Sequence, residues 1–168
     1  EIFVLDDTYE KHHCDILLNH NIYADELKYK GLVPSYCELR CGSEYTLLRD
    51  EFTNIDKTKK KNLKKTFFIA MGGSDPLNLN MTILEVLEVF KNIKVNLVTT
   101  QSNQNLKELE SYSRNKDWLN LYINCDFMAK LMVESDYAII TPSVTSNEVY
   151  YMKLPFVAIK TAENQKYM

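Results

Sequence analysis

Glycine and proline are scarce in this chain, four of each in 168 residues. That scarcity excludes collagen-like and Gly/Pro-rich low-complexity architectures. Cysteine is also sparse, with only Cys14, Cys37, Cys41 and Cys125, too few in a chain this long for a secreted disulfide framework. Cys37 and Cys41 lie four apart and His12 and His13 precede Cys14, but a structural zinc site needs two tight ligand pairs bracketing a loop. The cysteines are therefore read as reduced thiols packed at strand edges, with no metal and no cofactor expected. Charge of one sign is missing too: the net charge of -3 gives no argument for nucleic acid or an anionic membrane surface. Apolar runs such as 137–140 and 154–159 are far too short to span a bilayer, so no membrane span is expected. No basic leader or start methionine precedes Glu1-Ile2-Phe3-Val4-Leu5, so no signal peptide is read there. The chain opens inside an apolar run and stops abruptly at Gln165-Lys166-Tyr167-Met168, and it is expected to be a fragment.

What remains is a composition of 45% hydrophobic and 26% charged residues, the balance of a soluble globular protein. The first stretch holds two short apolar runs, at 2–5 and 16–18, separated by the breakers Asn19-His20-Asn21, Lys30-Gly31 and Val33-Pro34. A basic stretch follows, with Lys57, Lys59, Lys60, Lys61, Lys64 and Lys65. It lacks the interleaved aromatics that would stack on bases and is read as a linker between two lobes, over residues 1–55 and 56–168.

After the linker the periodicity changes. Thr66-Phe67-Phe68-Ile69-Ala70 is a continuous apolar run, the pattern of a strand covered on both faces of a parallel sheet. Asn78 or Asn80 can cap a helix carrying Ile83, Leu84, Leu87 and Phe90 at helical spacing. Strands are predicted over 95–99, 119–123, 137–141 and 156–159, with helices over 105–111, over 128–133 behind Asp126 as a cap, and over 147–152. This alternation predicts a doubly wound parallel α/β sheet.

Ligands of such sheets bind where strand ends lead into helices. Gly72-Gly73-Ser74-Asp75 is one such loop; it is neither a dinucleotide fingerprint nor a Walker loop, and its glycines equally suit a tight strand-to-helix turn. Thr141-Pro142-Ser143-Val144-Thr145-Ser146-Asn147-Glu148 is the second. Its hydroxyls and the free amides of a helix start can hold a diphosphate. Glu148, expected in the first helical turn, suits a ribose diol; otherwise Ser146 merely caps the helix and Glu148 favours its dipole. Glu163-Asn164-Gln165 is the third, bringing two side-chain amides to the same edge.

These three loops, together with His12-His13-Cys14-Asp15-Ile16-Leu17-Leu18-Asn19, Gly31-Leu32-Val33-Pro34, Arg40-Cys41-Gly42 and Ala129-Lys130-Leu131-Met132, resemble the UDP-sugar hydrolases of bacterial pseudaminic acid synthesis. The peptidoglycan N-acetylglucosaminyltransferase is a more distant likeness. The resemblance implies a glycosyltransferase-B C-terminal lobe preceded by the tail end of an N-terminal lobe. It implies cytoplasmic hydrolysis of UDP-2,4-diacetamido-2,4,6-trideoxy-β-L-altropyranose by water, without a metal. It implies UDP contacts at Gly72, Gly73, Ser74, Ser143, Val144, Thr145, Ser146, Glu148 and Gln165, uracil near Ile123, and Asn164 at the active site. The family's catalytic base is a histidine in a glycine-rich loop, and His12, His13 and His20 lie in a different motif; weak UDP binding without turnover is therefore expected of this chain. A glycosyltransferase of the same fold and a non-catalytic binding domain using the basic stretch remain the alternatives. Oligomeric state is left open.

Overall fold

The computed structural model describes residues 1–58 and 63–165. Lys59, Lys60 and Lys61 of the basic stretch lie outside the described residues, as do Lys166, Tyr167 and Met168. The chain divides into two compact units, Glu1–Leu48 and the residues from Arg49 onward; the sequence reading set its boundary at 55/56.

The first unit is a three-stranded parallel sheet, β1 (Phe3–Leu5), β2 (Ile16–Asn19) and β3 (Glu38–Cys41), in the order β1-β2-β3. β3 is absent from the sequence reading because Glu38 and Arg40 interrupt any apolar run; Leu39 and Cys41 alternate with them and pack on the core. Cys14, Leu17 and Tyr29 form that core, 1%, 0% and 0% exposed, with Tyr29 delivered by the short 3-10 turn Glu26–Tyr29.

In the second unit the alternation read from the sequence is present. Five parallel strands, β4 (Lys65–Ala70), β5 (Ile93–Thr99), β6 (Leu119–Ile123), β7 (Tyr137–Ile140) and β8 (Phe156–Ala158), lie in the order β6-β5-β4-β7-β8. The helices α2 (Leu79–Leu87), α3 (Leu106–Ser113), α4 (Met128–Val133) and α5 (Val144–Tyr151) connect them, and a short helix α1 (Asp50–Thr53) precedes them. Phe68, Ile69, Val95, Leu97 and Ile140 are fully buried in this sheet. Each such aliphatic or aromatic side chain contributes roughly 1.5–3 kcal/mol by leaving water.

Three details of the helix starts depart from the sequence reading. Neither Asn78 nor Asn80 caps α2: the Asp75 carboxylate accepts from the Leu79 and Asn80 amides at 2.9 and 3.0 Å, and Asn78 sits in the left-handed region at φ 53°. The helix also ends before Phe90, which is exposed. Asp126 does not cap α4, because Glu51 Oε2 from α1 accepts the Ala129 amide at 2.9 Å. And α5 begins at Val144 rather than near Asn147: the β-branched pair Val144-Thr145 argues against helix locally, but the Ser143 cap overrides it.

Candidate functional site

In the strand order β6-β5-β4-β7-β8 the chain winds outward from β4 in one direction, then returns to the other side of β4 to begin β7. The switch point of this doubly wound sheet therefore lies between β4 and β7, and the carboxyl ends of these two strands are where sheets of this kind bind ligands. The loop 71–75 leaves β4 there and the loop 141–143 leaves β7. Their closeness is measurable: a Cβ on Gly72 would lie 3.6 Å from Thr141 Cγ2.

The glycines have separate reasons. Gly72 adopts φ +80°, where an L side chain is strained. Gly73 faces the end of β5, where an added Cβ would come within 2.9 Å of Thr100 Oγ1, and that hydroxyl donates to the Gly73 carbonyl at 3.0 Å. Ser74 is exposed on the same loop. Thus the first loop is both a tight turn and an opening to solvent.

Past β7, Ser143 and Ser146 form a reciprocal capping box. Ser143 Oγ accepts from the Thr145 amide and Ser146 Oγ accepts from the Ser143 amide, both at 3.2 Å. Each hydroxyl is an acceptor in these bonds and retains its own proton to donate. Ser146 is thus the partner of the cap and Ser143 is the cap, a correction to the sequence reading. Val144 is exposed at the tip, and Thr145 is half-buried behind it.

Glu148 corrects a second expectation. Because α5 starts at Val144, the carboxylate sits in the second turn, and no acidic residue occupies the first. It is 3% exposed. Arg49, just before α1, donates to its Oε1 from Nε at 3.1 Å and from Nη2 at 2.9 Å, while Arg49 Nη1 pairs with Glu51 Oε1 at 2.7 Å. A chain of bonds so runs from the α4 amide of Ala129 through Glu51 and Arg49 to Glu148. Burial pushes the Glu148 carboxyl above its ordinary range, and the adjacent Arg49 cation opposes that rise. Arg49 and Glu51 were missed in the sequence, where Arg49 stands 99 positions from Glu148.

The remaining candidates lie on the same edge of the sheet. Ile123 ends β6, paired with Thr99 and half-buried. Glu163–Gln165 forms a 3-10 turn after β8 that contains Asn164. Gln165 Oε1 accepts from the Thr161 and Ala162 amides at 2.8 and 3.1 Å and from the Thr161 and Thr141 hydroxyls at 3.1 and 3.3 Å. Its side-chain oxygen thereby ties the β8 loop to the switch-point loop. Among the described residues, no group of three or more His, Cys, Asp or Glu side chains is arranged to hold a metal ion, and no helix is long and apolar enough to cross a membrane.

No protein-family model matches the chain. It is 42% identical, over 166 residues, to the UDP-2,4-diacetamido-2,4,6-trideoxy-beta-L-altropyranose hydrolase of Campylobacter jejuni subsp. jejuni serotype O:2, covering 99% of this chain and 60% of that protein. It is 34% identical, over 134 residues, to the uncharacterized protein MJ1062 of Methanocaldococcus jannaschii, covering 74% of this chain and 28% of that protein. The chain thus spans less than two thirds of the length of either relative. The separate motifs that resemble the pseudaminic acid UDP-sugar hydrolases are parts of one similarity, and over essentially its whole length the chain is a relative of the Campylobacter hydrolase.

Proposed function

We propose that the protein hydrolyses a UDP-sugar with release of UDP, and that its substrate is the UDP-2,4-diacetamido-2,4,6-trideoxy-β-L-altropyranose for which the Campylobacter relative is named. One observation carries the reading: the Gly72-Gly73 loop and the Ser143-capped start of α5 meet at the switch point of a parallel sheet, where nucleotides bind in this architecture. In this reading the second unit is the UDP-holding C-terminal lobe of a glycosyltransferase-B-like enzyme, and the residues before it belong to the N-terminal lobe.

The diphosphate accepts hydrogen bonds from the Ser143, Thr145 and Ser146 hydroxyls at the positive end of α5, with the backbone of Gly72, Gly73 and Ser74 closing on it. Arg49 occupies Glu148 Oε1, which leaves Oε2 to accept from the ribose diol. Uracil lies near Ile123, Gln165 contributes to UDP binding, and Asn164 belongs to the active site. Water attacks the anomeric carbon as the bond to the diphosphate oxygen breaks; the electron pair leaves with UDP, and the water's second proton passes to solvent. The helix start and its hydroxyls stabilise the charge that develops on that oxygen. No step of this scheme calls for a metal or cofactor, and we place it in the cytoplasm. No position of this chain matches the histidine base of the resembling family, so by itself the chain is expected to bind UDP without turnover.

Calorimetric titration with UDP tests the reading. Binding is expected, weakened about tenfold or more in Glu148→Ala, the loss of one good hydrogen-bonded contact at about 1.4 kcal/mol; Glu148→Gln, of similar volume, guards against a folding defect. An unchanged Kd in both variants would move the ribose away from Glu148. No heat from the folded wild-type chain would overturn UDP binding by these residues alone.

A further inference from the structure

We infer that Cys14 and Cys37 form a thiol pair that a low-molecular-weight disulfide converts into an intramolecular disulfide, making the first unit a site of reversible thiol modification. The two sulfurs are 3.5 Å apart, in van der Waals contact with nothing between them. The backbone keeps them there. Cys14 lies just before β2 and Cys37 just before β3, strands registered Ile16 to Glu38, and the Glu38 amide donates to the Asp15 carbonyl at 2.8 Å. Both cysteines lie in the segments leading into these strands rather than within them, so strand alternation does not turn their side chains to opposite faces.

The two thiols differ in access, which sets the order of events. Cys14 is 1% exposed, packed with Leu17 and Tyr29. Cys37 is partly exposed and follows the exposed residues Ser35 and Tyr36. The Cys37 thiolate attacks one sulfur of the small disulfide, forming a mixed disulfide and expelling one small thiolate. Cys14 then loses its proton and attacks the Cys37 sulfur, forming the Cys14–Cys37 bond and expelling the second small thiol. Two protein thiols are oxidised and one small disulfide is reduced to two thiols, so electrons and protons balance. Burial and the hydrogen bond with Cys14 push the Cys37 thiol up to about 11, with Cys14 and Asp15 as its nearest titratable neighbours. At neutral pH the Cys37 thiol therefore rests protonated and slow to react, and its thiolate fraction rises about tenfold per pH unit.

The test uses the whole chain, oxidised glutathione at pH 8, alkylation of remaining thiols and peptide mass spectrometry. Of the four free cysteines, Cys14 and Cys37 are expected in one cross-linked peptide, with Cys41 and Cys125 alkylated. The melting temperature of the oxidised chain should rise by about 5 °C, through the closed loop, and return on reduction. Cys14→Ser should retain glutathione on Cys37, and Cys37→Ser should show neither cross-link nor thermal shift. Closure should accelerate about tenfold per pH unit from 7 to 9. Alkylation of all four thiols after exposure, a persistent glutathione adduct on wild-type Cys37, a bridge through Cys41, or a pH-independent rate would each overturn the inference.

Discussion

The two units differ in what their buried polar side chains hold together. In the first, strands of three or four residues are joined by irregular loops whose backbone groups need partners, and buried polar residues supply them. Asp6 accepts from the Thr8 amide at 2.9 Å and the Glu10 amide at 3.2 Å. Asn19, fully buried, donates to the Tyr29 hydroxyl at 2.9 Å and accepts from the Asn21 side chain at 3.1 Å. In the second unit, helices cover the sheet and an aliphatic core of Ile69, Leu84, Val95 and Leu97 closes it. The buried carboxylate of Glu148 there serves no loop and is held by the Arg49 cation. Buried polar groups thus satisfy loop backbone in the first unit, whereas in the second they cap a helix, as Asp75 does, or join helices, as Glu148 does through Arg49 and Glu51.

The contrast can be broken at three strengths. Leu97→Ala should cost the second unit about 2–5 kcal/mol in chemical denaturation, the range for emptying a packed aliphatic position; a loss under 1 kcal/mol would mean this core is not what holds the sheet. Tyr29→Phe removes the acceptor of the buried Asn19 amide and should cost the first unit about 1–3 kcal/mol, read from hydrogen exchange at β2. No loss would remove the structural role assigned to that network.

The smallest effect lies in the pH dependence of two buried carboxylates. For Asp6, burial alone would raise the pKa, but hydrogen bonds from Thr8, Tyr29 and Glu10 together bring it below its ordinary 3.8. Its stabilisation is therefore present above pH 3.8 and fades as pH falls through the lowered folded value. Glu148 has the reverse sign. Its folded pKa lies above 4.5, so its contribution is fully present below that value and is lost as pH rises through the raised one. Asp6→Asn should flatten the acid limb of the stability curve, and Glu148→Gln should flatten the slope above pH 4.5. Parallel slopes in the two variants would show that the carboxylates do not differ in kind.

Legibility followed the same division. Strands β4 to β7 could be read because runs rich in apolar residues, most deeply buried in β4 and β5, leave a near-continuous signal. β3 could not, since Glu38 and Arg40 alternate with its inward residues. The three candidate loops stood out through glycine, hydroxyl and amide residues at strand ends, but the helix caps did not. The α2 cap comes from Asp75, four residues ahead of Leu79, and the α4 cap from Glu51, 78 positions away from Ala129.

By itself the sequence determined the parallel α/β alternation, the three loops at the strand ends and the kinship with a UDP-sugar hydrolase, because all of these are written in local runs and motifs. Only the tertiary structure decided the strand order that puts the switch point between β4 and β7, the pairing of Arg49 with Glu148, and the contact between Cys14 and Cys37. Those depend on which distant segments the burial of apolar surface brings side by side, and no local pattern of residues encodes that proximity.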